Sequence, residues 1–201
     1  YGAKYTYNEI NSASQYRYEN AGVWVPSIVD DFDISYAENI GAAYATATMN
    51  YGRFSAVVGL RGEYTYSDAR ESGVSQNYFS PFPNANLSVA LDKSGKHSLV
   101  AQYSRSIARP NFWNLTPNRM QISDYTFQSG NPLLKPQYTD NITVTAVVAY
   151  KYSLTLGMNI RRDVIQRMMV QDPSNPMMMD LTYRNLPTEN YYLASLNLPF
   201  N

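Results

Sequence analysis

The sequence has no cysteine, a single histidine, and no apolar run near the length of about eighteen residues that a transmembrane helix needs. Each shortage removes a class of protein. Without cysteine there are no disulfide staples, thiolate metal sites or cysteine nucleophiles. The lone His97 stands beside a Lys-Ser-Gly-Lys turn with no visible partner to orient it as a general base, so it reads as a wet turn residue. Net charge is lacking too: 16 basic residues cancel 16 acidic ones, and nothing suggests a nucleic-acid partner. The opening Tyr1-Gly2-Ala3-Lys4 is not a signal peptide, and no stretch shows a convincing helical period. No cofactor or enzymatic activity is expected.

Tyrosine is abundant instead, supplying 19 residues against 7 Phe and 2 Trp. A large apolar ring with a polar tip suits places where apolar and wet regions meet. Alternation with period two then predicts eight strands: 1–12, 33–49, 54–68, 78–92, 97–108, 138–150, 152–169 and a long, kinked 179–200. Four connections read as long (13–32, 69–77, 109–137, 170–178). Three read as tight, at 50–53, 93–96 and around Lys151. Long and tight connections alternate, as they do in an up-and-down barrel with tight turns at one end and elaborate loops at the other.

The strand faces sharpen this reading. In 54–66, Phe54, Ala56, Val58, Leu60, Gly62, Tyr64 and Tyr66 share one face, while Ser55, Val57, Gly59, Arg61, Glu63 and Thr65 share the other. Ile142, Val144, Ala146, Val148 and Tyr150 likewise oppose Asn141, Thr143, Thr145, Val147 and Ala149; Tyr152, Leu154, Leu156, Met158 and Ile160 oppose Ser153, Thr155, Gly157 and Asn159. At the C-terminal end Tyr192, Ala194, Leu196, Leu198 and Phe200 form the apolar face, whereas 33–49 alternates only weakly. The apolar faces stay free of charge for roughly nine to eleven residues, the length of a tilted strand crossing hydrocarbon. They end at Arg105, Asp140 and Arg162, and tyrosines (Tyr1, Tyr64, Tyr66, Tyr103, Tyr138, Tyr150, Tyr152) cluster at the band ends like an interfacial girdle. A soluble β-sandwich that binds glycans would alternate too, but its apolar residues would be buried against a second layer.

The insert at 109–137 is too aromatic to be simple disorder. Its blocks carry a resemblance. Tyr103-Ser104-Arg105-Ser106-Ile107-Ala108-Arg109-Pro110, Asn114-Leu115-Thr116-Pro117 and Gly130-Asn131-Pro132-Leu133-Leu134-Lys135-Pro136 resemble the barrel of TonB-dependent outer-membrane receptors, in particular members with a carboxypeptidase-regulatory-like N-terminal domain. Glu38–Tyr44, Gly59–Thr65 and Phe82–Leu87 are similar to successive strands of that family, in order, so the resemblance spans essentially the whole chain. It implies an all-β, transmembrane antiparallel up-and-down β-barrel, with this chain supplying about eight strands of a barrel of the 22-stranded type. It also implies the bacterial outer membrane, outer-membrane lipid around the wall, a plug domain of the same protein, the TonB energy-coupling complex and a possible surface lipoprotein. The expected role is import of a scarce nutrient: glycan, peptide, siderophore or vitamin. A self-closing eight-stranded barrel is the other membrane reading.

On this reading the long loops face outwards, and Phe112, Trp113, Arg119, Tyr125 and Phe127 are the candidate substrate contacts. Gly130-Asn131-Pro132 reads as architecture, returning the loop to the wall. Lys4, Arg61 and Glu63 should face the lumen as part of an ion-pair network. Asp30-Asp31-Phe32-Asp33 reads as a solvated acidic loop and not a cation site, and Met168, Met169 and Met177–Met179 read as flexible apolar packing.

Overall fold

The computed structural model describes residues 1–26, 31–69 and 73–199; Asp30 and Phe200 lie outside the described residues. Eight long strands form a meander in chain order: β1 (Gly2–Ser14), β4 (Phe32–Tyr51), β5 (Phe54–Ala69), β6 (Val74–Ala90), β7 (Ser98–Ala108), β10 (Gln137–Val148), β11 (Tyr152–Asp172) and β12 (Asn175–Asn197). Every neighbouring pair among them is antiparallel. The sheet is open among the described residues. It begins at β1, and beyond β12 it continues into two short strands of the long insert, β9 (Thr126–Gln128) and then β8 (Met120–Ser123).

Several expectations need correction. The connection at 13–32 holds a small separate hairpin, β2 (Arg17–Asn20) and β3 (Val23–Pro26). The supposed long loops at 69–77 and 170–178 shrink, because the strands run on past the apolar band: β6 starts at Val74, and β11 and β12 meet across Pro173 and Ser174. Long and tight connections therefore do not alternate without exception. The sheet is not purely antiparallel either, since β9 pairs parallel to β12 from Met179↔Thr126 to Leu181↔Gln128. Strand 138–150 stops at Val148, where Ala149 and Tyr150 take φ of 54° and 57° and the Lys151 N–H donates to the Val148 carbonyl. In β12 the irregularity falls at Pro187, which would lie opposite Asp163 (φ 53°) between the pairs Arg162↔Thr188 and Val164↔Leu186.

Side-chain parity is as expected. Val58, Leu60, Val144, Val148, Leu154 and Leu156 stand exposed on the convex face, and no second layer covers them among the described residues. That overturns the sandwich. Thr65, Glu63 and Ser67, their opposite numbers on β5, are buried on the concave face.

One seam interrupts the wall. The ladder between β6 and β7 stops at Asn84↔Ser104, although β6 continues against β5 up to Val74. Near the tight turn, the Ala90 N–H points to Arg53 on the β5 side and the Leu91 N–H to His97 on the β7 side. Odd-numbered amides of β6 thus face β7, and above Asn84 the next two are Pro83 and Pro81. Neither has an N–H, so two successive ladder donors are missing on one edge and the strands part.

Candidate functional site

Residues 109–136 do not hang free; they cross the concave face as a brace. The brace begins at Arg109, whose guanidinium sits 2.5 Å from Glu63 and 3.8 Å from Glu38 and donates to Thr65 Oγ1. Glu63 also meets Arg61 at 2.5 Å, and Asn8 donates to Glu38. Both carboxylates are buried, so Arg109 and Arg61 compensate charges that would otherwise be costly. Lys4 lies in the same row, across Ala42 from Glu63.

Asn111 then caps the single helical turn α1 (Phe112–Leu115). Its side chain accepts from the Asn114 N–H, and the Asn114 side chain accepts from the Asn111 N–H. The turn throws Phe112 and Leu115 into a small core with Tyr36 and Leu134, flanked by Ala69 on β5 and by Ile165 and Tyr183 on β11 and β12. The brace therefore touches both arms of the open sheet. Trp113 packs edge-on to Phe112, 5.1 Å between ring centres, and remains half exposed.

Gly130-Asn131-Pro132 closes the structure against the helical turn. The Gly130 N–H donates to the Thr116 carbonyl at 2.7 Å and the Asn131 N–H to the Asn114 carbonyl at 2.6 Å. A Cβ on Gly130 would meet those two carbonyl oxygens at 2.5–2.6 Å, so only glycine fits. The Asn131 side chain donates to the Tyr183 carbonyl, Gln76 donates to the Pro132 and Leu134 carbonyls, and Asn185 exchanges hydrogen bonds with the Lys135 backbone.

Between these anchors the β8–β9 hairpin rises beside the β11–β12 arm. Arg119 holds Asp172 at 2.5 Å and Asp180 at 2.7 Å while its guanidinium lies 4.2 Å from the Phe127 ring centre. Asp172 also accepts from the Ser174 hydroxyl and N–H. These two bonds, together with Arg119, hold its carboxyl down at about 2. Tyr125 stands at the hairpin tip with its ring exposed.

The five loop residues named from the sequence thus part company. Trp113 and Tyr125 present rings to solvent, Phe112 is sealed in the core, and Arg119 and Phe127 are engaged with each other and with the β11–β12 arm. Sequence reasoning missed Arg109 and Glu38 as the hub of the interior network. Arg109 lies one residue past β7, where strand parity no longer tells which way a side chain points. The acidic stretch is accounted for in part by Arg17, which grips Asp31 at 2.7 Å.

The model of the outer membrane protein beta-barrel family matches residues 1–201. The chain belongs to that family. It is therefore an outer-membrane barrel chain, and its convex face exposes Val, Leu, Ile and Tyr. Among solved structures it is similar to a variant of the ferric enterobactin receptor PfeA from Pseudomonas aeruginosa in complex with enterobactin, at 13% identity and a TM-score of 0.52. That match covers 96% of this chain and 38% of the receptor chain. PfeA in complex with BCV-L6 matches with the same identity, coverage and TM-score. The siderophore receptor PirA from Acinetobacter baumannii is similar at 11% identity and a TM-score of 0.46, covering 98% of this chain and 39% of that one. The chain thus spans under two fifths of the length of the receptors whose fold it shares. No curated protein matches it by sequence.

Proposed function

We propose that this chain forms part of the wall and outer mouth of a TonB-dependent transporter that imports a scarce nutrient across the outer membrane. The observation that carries the reading is the brace. A barrel strand connection that crosses the concave face, pinned by Arg109 at one end and Asn131, Lys135 and Gln76 at the other, narrows the mouth above a polar interior. A barrel built only as a membrane anchor has no use for it. Below the brace, Lys4, Arg61, Glu63 and Glu38 present charge to the interior, the surface a plug domain of the same protein would rest on. Coupling to the TonB complex belongs to that plug, and a surface lipoprotein would meet the long-loop end. The wall does no covalent chemistry; it holds and admits. Trp113 and Tyr125 are the exposed rings beside the mouth, suited to a glycan, peptide, siderophore or vitamin with an apolar face. Ferric enterobactin receptors share the fold, which favours a siderophore-sized cargo.

The test is the native polypeptide carrying Gly130–Pro136, recovered from fractionated membranes of its source cell. A mass several times the 22.8 kDa of this chain, in the outer-membrane fraction, is expected. A native mass near 22.8 kDa in that fraction would mean a self-closing small barrel and would end the transporter reading.

A further inference from the structure

The charges that end the apolar band on the lipid face are not scattered; they form one built cluster. Asp140 on β10 lies between Arg105 of β7 and Arg162 of β11, paired in register as Asp140↔Arg105 and Tyr138↔Arg162. Arg162 reaches its carboxylate at 3.1 Å, Arg105 Nε stands 3.8 Å away, and the Tyr103 hydroxyl donates to it at 2.8 Å. Arg105 also lies over the Tyr138 ring, 4.7 Å from its centre. Asp140 is only 6% exposed, although Ile142 and Val144, which follow it on the same face of the same strand, stand open.

The charge does not balance. Two guanidinium groups share one carboxylate. Arg162 is half exposed, and Arg105 Nε is buried without a hydrogen-bond partner, since 3.8 Å is beyond hydrogen-bond reach. One positive charge is therefore left over on a surface that faces lipid, at the end of the band nearest the long loops. Short turns mark the periplasmic end of such barrels and long loops the outer end, so the cluster lies at outer-leaflet headgroup level. Directly towards the bilayer centre the same face carries Ile142, Val144, Ala101 and Leu99, uncharged and smooth. Positive charge above and an apolar bed below is the order of an amphiphile, not of a free anion.

We propose that Arg105 and Arg162 form a binding site for the headgroup phosphate of an outer-leaflet lipid whose acyl chains lie along β7 and β10. Arginine suits this task because its planar donors match phosphate oxygens in pairs. Asp140 and Tyr138 hold the two guanidinium groups in place, and the leftover charge is complemented by the headgroup.

Full-length protein extracted in detergent is challenged with dioleoyl phosphatidic acid, with dioleoylglycerol, and with inorganic phosphate, and retained lipid is read by native mass spectrometry. Phosphatidic acid should be retained over dioleoylglycerol, and inorganic phosphate at equal concentration should not displace it. R105Q and R162Q should each lower retention roughly tenfold, the scale of a lost charge-assisted hydrogen bond. R161Q, whose side chain points to the opposite face and pairs with Glu189, should leave retention unchanged. Retention equal to wild type in R105Q and R162Q would overturn the site. Displacement by inorganic phosphate would show a small-anion site, and equal capture of dioleoylglycerol an apolar patch; either would also overturn it. If R105Q fails to assemble, judged by its heat-dependent electrophoretic mobility, the half-exposed R162Q decides alone.

Discussion

Gly130 is the residue on which the brace most directly depends. Replacing it with alanine drives a methyl into the Asn114 and Thr116 carbonyl oxygens, so G130A should cost about 1–3 kcal/mol locally, as overpacking does. The loop should become cleavable by added protease on intact cells while the wall stays assembled; an equally resistant loop would mean that the contact is not limiting. Asp172 makes a second prediction with a definite sign. Its folded value near 2 lies below the ordinary 3.8, so it favours folding above about pH 4, and that contribution is lost as pH falls through 2. The β11–β12 tip should therefore loosen between pH 4 and 2, measured as faster proteolysis or label mobility there. D172N should abolish the pH dependence. At this scale the sequence was least informative. That Phe112 is core and Trp113 exposed depends on which side of one helical turn meets Tyr36, a tertiary fact with no local signal.

At the scale of elements, strand positions were legible wherever one face is apolar. Strands 54–68 and 97–108 agree with β5 and β7 to within a residue, because an apolar face and a more polar face alternate there. Beyond the band the alternation fades, and in the sequence the upper arms of β6, β11 and β12 read as loops. The four-residue strands β2 and β3 are too short to show a period. The seam was written in Pro81 and Pro83, but only the direction of the neighbouring amides reveals that both missing donors face β7. The turn after β10 supplies a prediction. Ala149 and Tyr150 are the two central residues of the turn that the Lys151 N–H closes onto the Val148 carbonyl, and both occupy the left-handed region, where Asn or Gly is at ease. A149N should stabilise by about 1 kcal/mol, since Asn tolerates the left-handed region that costs other L-residues roughly 1–2 kcal/mol, seen as a higher urea midpoint for refolding into lipid vesicles. A lowered midpoint would count against the turn geometry.

For the whole molecule, the account stands on two faces with opposite solvents. The convex face exposes Val58, Val144 and Leu156, and the concave face carries Ser55 and Thr143; on the proposed reading the first meets lipid and the second the lumen. Placing Arg at Val58, Val144 or Leu156 should cost about 2–4 kcal/mol near the bilayer midplane and block outer-membrane assembly. Arg at Ser55 or Thr143 should be tolerated, as judged by the amount of heat-modifiable protein in the outer membrane. The barrel as a class was readable from strand parity and band length, and the brace was recognisable only as a long, turn-rich insert. What it spans could not be read, because its anchors (Glu63, Gln76, Tyr183 and Asn185) are scattered over more than a hundred residues of sequence.

The most direct measurement uses the chain's own lack of cysteine. Single cysteines are introduced one at a time from 141 to 148 in the full-length protein, any native cysteine elsewhere replaced, and each is nitroxide-labelled in native-like bilayers. Collision with oxygen and with a water-soluble nickel chelate is then read by electron paramagnetic resonance. Labels at 142, 144, 146 and 148 should favour oxygen, and those at 141, 143, 145 and 147 the chelate, with period two. A uniform profile, or one in which the even positions are shielded from both reagents, would contradict a wall with lipid on one side and a polar interior on the other.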